Sequence, residues 1–432
     1  MKSKSFLVIL FILTFIFAKA QDYPYDIPLY DFVHYDKNKI QFYKDSSEFM
    51  DLYQKFDELI FRGEGQINIV HFGGSHVQAG ALPSRFAQRL QTMHPGLEGS
   101  RGFVFPYNLT RTNVPRNYYI KHTGTWTSCR NVEYKKKCTL GVSGLSTTTT
   151  STASTLNIYL KENAYLPYTF NLVKILHDVH ESSFQLVIQN VENEIVEVNK
   201  EQGYTLYKLK KDVDFLEMGF VKTDTLQNQF TLYGISLETD RAGITYHGIG
   251  VNGSTIPAFL RCDLLENQLK ALKPDWIIMT LGTNDAYSRK FNPEYYYSNY
   301  DSLITRIKSV LPNVPILLTV PNDSYLYKKK VNPNTALVGE QIKRLATKHY
   351  LATWDFYSIM GGLNSVTLWH KEGLTANDKI HFSRSGYFLQ ADLLFNAFLK
   401  SYDNYTESFK ESELSQIEYV IKFPDLTIQN EP

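Results

Sequence analysis

The stretch Ile67-Asn-Ile-Val-His-Phe-Gly-Gly-Ser-His-Val-Gln-Ala-Gly80 decides how the rest of the chain is read. Ile67 to Phe72 is a short apolar run, the pattern of a buried strand. Gly73 and Gly74 break it, and Ser75 follows. A helix comes next, with Leu82, Phe86 and Leu90 on one face and Pro83 in its first turn. Strand, tight turn, serine and helix place a hydroxyl at the carboxyl end of a sheet, which is how α/β enzymes hold a nucleophile. A Gly-Gly-Ser connection that only starts a helix has the same local pattern, so the decision rests on residues far downstream.

From Gly243 the chain alternates strands and helices. Ile244 to Gly248 and Asp275 to Leu281 read as strands, and so do Pro315 to Val320 and Trp354 to Phe356. Helical faces lie between them, at Leu260-Leu264-Leu265-Leu269-Leu272, at Leu303-Ile304-Ile307-Leu311 and at 339–349. This alternation argues for a parallel sheet with helices on both faces, and for active groups in loops at the strands' carboxyl ends. Two such loops are Gly250-Val-Asn-Gly-Ser-Thr-Ile-Pro257 and Gly282-Thr-Asn-Asp285.

The intervening part, 99–240, has a different grammar. Period-two runs recur at 156–160, 184–188, 194–198, 204–209 and 230–237, spaced as in a β-sandwich. The expectation is an all-β sandwich inserted into the α/β part, with one sheet extended by long hairpins as the alternative. Ser146 to Thr155 reads as a solvated Ser/Thr loop. Ahead of the decisive stretch, Ser46 or Ser47 suits the cap of a helix carrying Phe49, Leu52, Phe56 and Leu59 and ending at Gly63. Ile417 to Phe423 reads as a strand.

Residues 1–20 have lysines at 2 and 4, an apolar run and an Ala-Lys-Ala end, which is the form of a secretory signal peptide. The expectation is an exported protein, in the periplasm or outside the cell, with no integral membrane segment after cleavage. The remainder, about 410 residues, is long for a single core. A net charge of +1 calls for neither nucleic acid nor an anionic membrane. Of three cysteines, Cys129 and Cys138 suit a disulfide across a hairpin, and Cys262 suits a buried thiol in a helix. No metal-ligand spacing occurs, and no cofactor is expected.

Near the end, Thr375-Ala-Asn-Asp-Lys-Ile-His-Phe places Asp378 and His381 three apart in a turn. There the carboxylate can hold the ring's Nδ1–H and leave Nε2 free as a base.

The order Gly-Gly-Ser75, Gly-x-Asn-Gly253, Gly-Thr-Asn284-Asp and Asp378-x-x-His381 resembles the four blocks of the SGNH (GDSL-type) esterase superfamily, over residues of about 65–95 and 243–400. The resemblance implies a flavodoxin-like three-layer α/β hydrolase in two parts, 21–98 and 241–400. Between them would lie the insert at 99–240, and 401–432 would form a C-terminal extension. It implies Ser75 as nucleophile, His381 as general base and Asp378 as its orienting carboxylate. The amides of Ser75 and Gly253 and the Asn284 side chain would form an oxyanion hole. His76 is a poorer base and is expected to pack or line the cleft. The finer match, Ile-Val-His-Phe-Gly-x-Ser-His-Val-Gln with a β-insert and Gly-Val-Asn-Gly-Ser, resembles secreted bacterial peptidoglycan O-acetylesterases. It implies a carbohydrate-binding-like insert and an acetylated glycan or peptidoglycan as partner.

The chain departs from that pattern at Gly74, where the family usually has a structural Asp; the expected cost is a looser turn. Gly141-Val-Ser-Gly144 imitates the second block but reads as a turn in the insert. Other readings are a lipase or thioesterase, a glycan O-acetyltransferase using the same residues, and a non-catalytic glycan-binding protein.

Overall fold

The computed structural model describes residues 27–43, 47–94, 97–161 and 168–422, with side chains through Ser408. The expected signal peptide lies outside the described residues. Among those described, no helix is long and apolar enough to cross a membrane.

Five parallel strands form the centre: β1 (Gln66–Gly73), β2 (Gly243–Gly250), β3 (Trp276–Thr280), β4 (Ile316–Val320) and β5 (Ala352–Asp355). Their order is β5-β4-β3-β1-β2, with Gln41–Phe42 added antiparallel to β5. This is the flavodoxin-like order, whose reversal lies beside β1. Alternation along β1 divides its side chains between two layers. Ile67 and Ile69 enter one apolar core and Val70 and Phe72 the other.

The first core is roofed by α1 (Ser47–Asp57), α2 (Ala81–Thr92) and α6 (Arg384–Lys422). Phe56, Phe86 and Phe398 fill it, all fully buried. Arg85 and Arg89 of α2 both bind Asp392 of α6 at 2.8 Å, which seats α6 on α2. On the other face lie α3 (Leu265–Leu272), α4 (Pro293–Val310) and α5 (Asn334–His349). Ile304 and Ile342 pack there against Ile277 and Leu318 of the sheet.

The described residues between 102 and 238 form two antiparallel sheets. One runs 193–199, 204–213, 170–177, 230–238, 145–149 and 127–130, with Gly102–Val104 paired on 230–238. The other runs 118–123, 155–160, 215–221 and 185–188. Phe220 of the second sheet lies 4.8 Å from Phe230 of the first, ring centre to ring centre. Both sheets share the core that holds Val70 and Phe72 of β1.

Four local expectations are corrected. Part of the Ser/Thr segment is a strand, Leu145–Thr149, with Thr147 and Thr149 buried. Its hydroxyls find partners inside the sheet, Thr148 Oγ1 with Thr231 Oγ1 at 2.9 Å and Thr149 Oγ1 with Ser154 Oγ at 2.7 Å. β-Branched threonine suits a strand once its polar atom is satisfied. The run at 417–422 is helical, not a strand, because α6 meets no Gly or Pro after Gly386 until Pro424. The single helix expected across Leu260–Leu272 is two, Ile256–Leu260 and Leu265–Leu272. Buried Cys262 sits in the break between them rather than on a helix. The α1 helix begins at Ser47, so its cap falls at residues outside the described set.

Candidate active site

Ser75 is the first residue of a single helical turn, Ser75–Gln78, directly after β1. Its amide therefore has no acceptor within the helix. Space is tight at Gly73 and Gly74. A β-carbon on Gly73 would stand 2.2 Å from Val77 Cγ2, and one on Gly74 would stand 2.8 Å from Asn284 Nδ2. The departure at Gly74 thus has a local reason: the room that a side chain would occupy is used by the Asn284 amide.

Ser75 Oγ lies 2.8 Å from His381 Nε2. His381 Nδ1 lies 2.8 Å from Asp378 Oδ2. Asp378 Oδ1 accepts the amides of Ile380 at 2.9 Å and His381 at 3.0 Å, so the turn itself holds the carboxylate in place. Burial pushes the Asp378 carboxyl up, but the hydrogen bonds from the His381 side chain and the two amides outweigh it and hold it below the ordinary aspartate range. The carboxylate stays ionised beside the imidazole, which fixes the tautomer with Nε2 facing the serine.

Gly253 lies in the loop after β2 with φ +80, a conformation that favours glycine. Asn284 follows β3 and donates from Nδ2 to the Ser254 carbonyl at 2.9 Å, which ties the two loops together. The next residue, Asp285, accepts the Ile256 amide at 3.1 Å through Oδ1. Its Oδ2 is shut from solvent without a partner, near Tyr296 and Tyr300, whose buried hydroxyls are also unpaired among the described residues. Burial raises this carboxyl to about 7.

His76 is buried, with Nδ1 3.1 Å from the Tyr387 hydroxyl. Its ring stacks on that of His381 at 5.3 Å and 27°. Burial first, and the neighbouring His381 second, lower its pKa to about 3. The neutral ring therefore backs His381 and takes no proton of its own. Gly141 and Gly144 form a turn closed by a 2.9 Å bond, away from these loops in sequence.

Contacts from residues 107–138 escaped the sequence reading. The Gln78 side chain donates to Thr112 and Asn113 and accepts the Asn252 amide at 2.6 Å. Asn131 donates to Ser254 Oγ at 2.8 Å. Cys129 and Cys138 form a disulfide that closes this loop. The antiparallel part thus packs on the Gly253 loop, through contacts between segments too distant in sequence to be seen there.

Residues 225–389 match the GDSL-like Lipase/Acylhydrolase family. This segment is a GDSL-like acylhydrolase domain. The match over this segment supports a carboxylic ester hydrolase of the SGNH type. The acylhydrolase match includes Gly253, Asn284, Asp378 and His381; Ser75 precedes it, on the far side of the antiparallel strands. A peptidoglycan O-acetylesterase structure superposes with a TM-score of 0.68 at 18% identity, over 84% of this chain and 99% of that one. That coverage exceeds what the residues outside 102–238 could supply, so the shared fold includes antiparallel strands. The lipase/acylhydrolase from Enterococcus faecalis gives a TM-score of 0.29 at 20% identity, over 36% of this chain and 75% of that one. A catalytic mutant of an acetylxylan esterase from Geobacillus stearothermophilus gives 0.30 at 18%, over 36% and 72%. No curated protein sequence matches the chain.

Proposed function

We propose that this acylhydrolase removes O-acetyl groups from a glycan, peptidoglycan in the first place, through a Ser-His-Asp acyl-enzyme mechanism. The observation that carries the reading is the Ser75–His381–Asp378 relay, 2.8 Å at each step. His381 Nε2 takes the Ser75 proton as Oγ attacks the acetyl carbonyl. The oxyanion settles against the amides of Ser75 and Gly253 and the Asn284 side chain. As the tetrahedral adduct collapses, His381 protonates the departing sugar oxygen. Water then repeats the sequence, activated by the same ring, and acetate leaves. Asp378 stabilises the imidazolium in both halves.

The substrate is supported by the likeness to a peptidoglycan O-acetylesterase. In this reading residues 1–20 direct export, to the periplasm or beyond. Residues 99–240 form an inserted sandwich domain that helps to hold the glycan, supported by the two antiparallel sheets.

The test is acetate release from p-nitrophenyl acetate and from O-acetylated peptidoglycan. The parent should act on both, and Ser75→Ala should lose several orders of magnitude on both. Activity on the small ester alone removes peptidoglycan as substrate. A well-folded parent that hydrolyses neither sinks the esterase mechanism.

A further inference from the structure

The sequence Tyr-Lys-Lys-Lys occurs twice, at 134–137 and 327–330. The two copies lie on different elements, and both rise beside the loops that carry the catalytic residues.

The first copy is on the disulfide-closed loop. Its Tyr134 hydroxyl meets Thr255 Oγ1 at 3.2 Å, two residues past Gly253. Val132 in the same loop lies 4.0 Å from where a β-carbon on Gly253 would stand. The second copy is at the tip of a hairpin, Tyr325–Leu326 with Lys330–Val331, after β4. The Tyr325 amide donates to the carbonyl of Lys379, between Asp378 and His381, at 2.9 Å. Asn334 at the hairpin's exit donates to the carbonyls of Ala286 and Ser288, just past Asn284.

The sheet order sets these tips on opposite sides of Ser75. The first stands over the loop after β2, the second follows β4, and β1 and β3 lie between. Each tip has the same construction. Arg261 stacks on Tyr134 and Arg289 on Tyr327, both at 4.9 Å. All six lysines are exposed. Lys136 is held by Glu133 at 3.0 Å. Among the described residues the other five form no ion pair. The chain as a whole carries only +1, so this is a local concentration of positive charge.

We infer that the cleft takes an O-acetylated polyanion, a glycan bearing carboxylates or phosphates at intervals, laid across Ser75 from one lysine tip to the other. The inference rests on the esterase reading and adds the charge of the substrate. Two clusters flanking one nucleophile attract an extended anion and hold it on both sides of the acetyl group being cut. A neutral polymer would gain nothing from them. Such attraction between exposed charges is screened by salt.

The test measures binding to the full-length Ser75→Ala protein, which should not consume its ligand. The probes are an oligogalacturonate, a poly(glycerol phosphate) and a neutral xylo-oligosaccharide. The parent background, K135E/K137E and K328E/K330E are compared, with p-nitrophenyl acetate hydrolysis measured in the corresponding Ser75 proteins. We expect at least one anionic chain to bind on the order of tenfold more tightly than the neutral one at low salt, and to lose that margin near 0.2 M salt. Each charge reversal should remove the margin and leave hydrolysis of the small ester unchanged. Which anion is preferred separates a carboxylated from a phosphorylated glycan. Equal binding of neutral and anionic chains, or a margin untouched by either reversal, overturns the proposal. A margin sensitive to one tip alone overturns the span across Ser75. Preserved anion binding in a protein inactive on every ester keeps the polyanion site and removes the esterase reading instead.

Discussion

Gly74 and Asn284 share one small volume. A methyl group at 74 must push the Asn284 amide aside, because it would arrive at 2.8 Å. Gly74→Ala should fold, since the displaced atom is the end of a side chain. Its kcat should fall by roughly ten- to a hundredfold, approaching the loss for Asn284→Ala, because the donor proposed for the oxyanion is misplaced. Gly74→Asp should lose at least as much. An Asp variant with parental kcat would show that a side chain at 74 does not displace the Asn284 amide from its working position. Asp285 makes a prediction of another kind. Its folded-state pKa of about 7 lies above the ordinary aspartate value, so the folded protein keeps a proton that the unfolded chain releases. This group therefore lowers stability progressively as pH rises from the ordinary aspartate range through about 7, and no further above that. Asp285→Asn keeps an acceptor for the Ile256 amide and removes the titration. Urea unfolding across that window should show the parent losing a few kcal/mol relative to the variant. Parallel profiles would contradict the buried acid.

At the scale of elements, the disulfide loop is the piece to disturb. Asn131 bonds Ser254, and the Arg261 side chain reaches the carbonyls of Glu133 and Lys136, so a floppy loop 129–138 transmits its motion to Gly253. Replacing both cysteines by serine should lower stability by about 2–3 kcal/mol. It should also reduce kcat more than it raises KM. An unchanged kcat would mean that Gly253 is held without the loop. The elements themselves were largely legible. β1 and the helix after Ser75 follow from one apolar run, two glycines and a 3.6-residue period. Asp378 and His381 were legible because three residues in a turn meet whatever the fold. The strand at 145–149 was not, since its threonines look solvated until cross-strand hydroxyls satisfy them. Nor was the His76–His381 stack, which needs a contact across most of the chain.

The whole molecule is bound together by its cores. Val70 and Phe72 of the parallel sheet and Phe103, Phe170 and Phe230 of the antiparallel part share one apolar cluster. The strand Gly102–Val104 pairs with 230–238, which leads straight into β2. Thermal unfolding followed by near-ultraviolet dichroism and by loss of esterase activity should therefore trace one transition. Two separated transitions would show that the antiparallel part melts on its own. The arrangement of the relay also bears on how the protein matures. Ser75 and His381 are 306 residues apart, and the ring is delivered by the turn that opens α6, the last helix among the described residues. Closing so distant a contact carries a loop-closure cost and depends on most of the structure being in place. On the proposed mechanism, a growing chain therefore cannot cleave esters before the turn that carries His381 has emerged and docked, so the acquisition of activity would report a late step of folding.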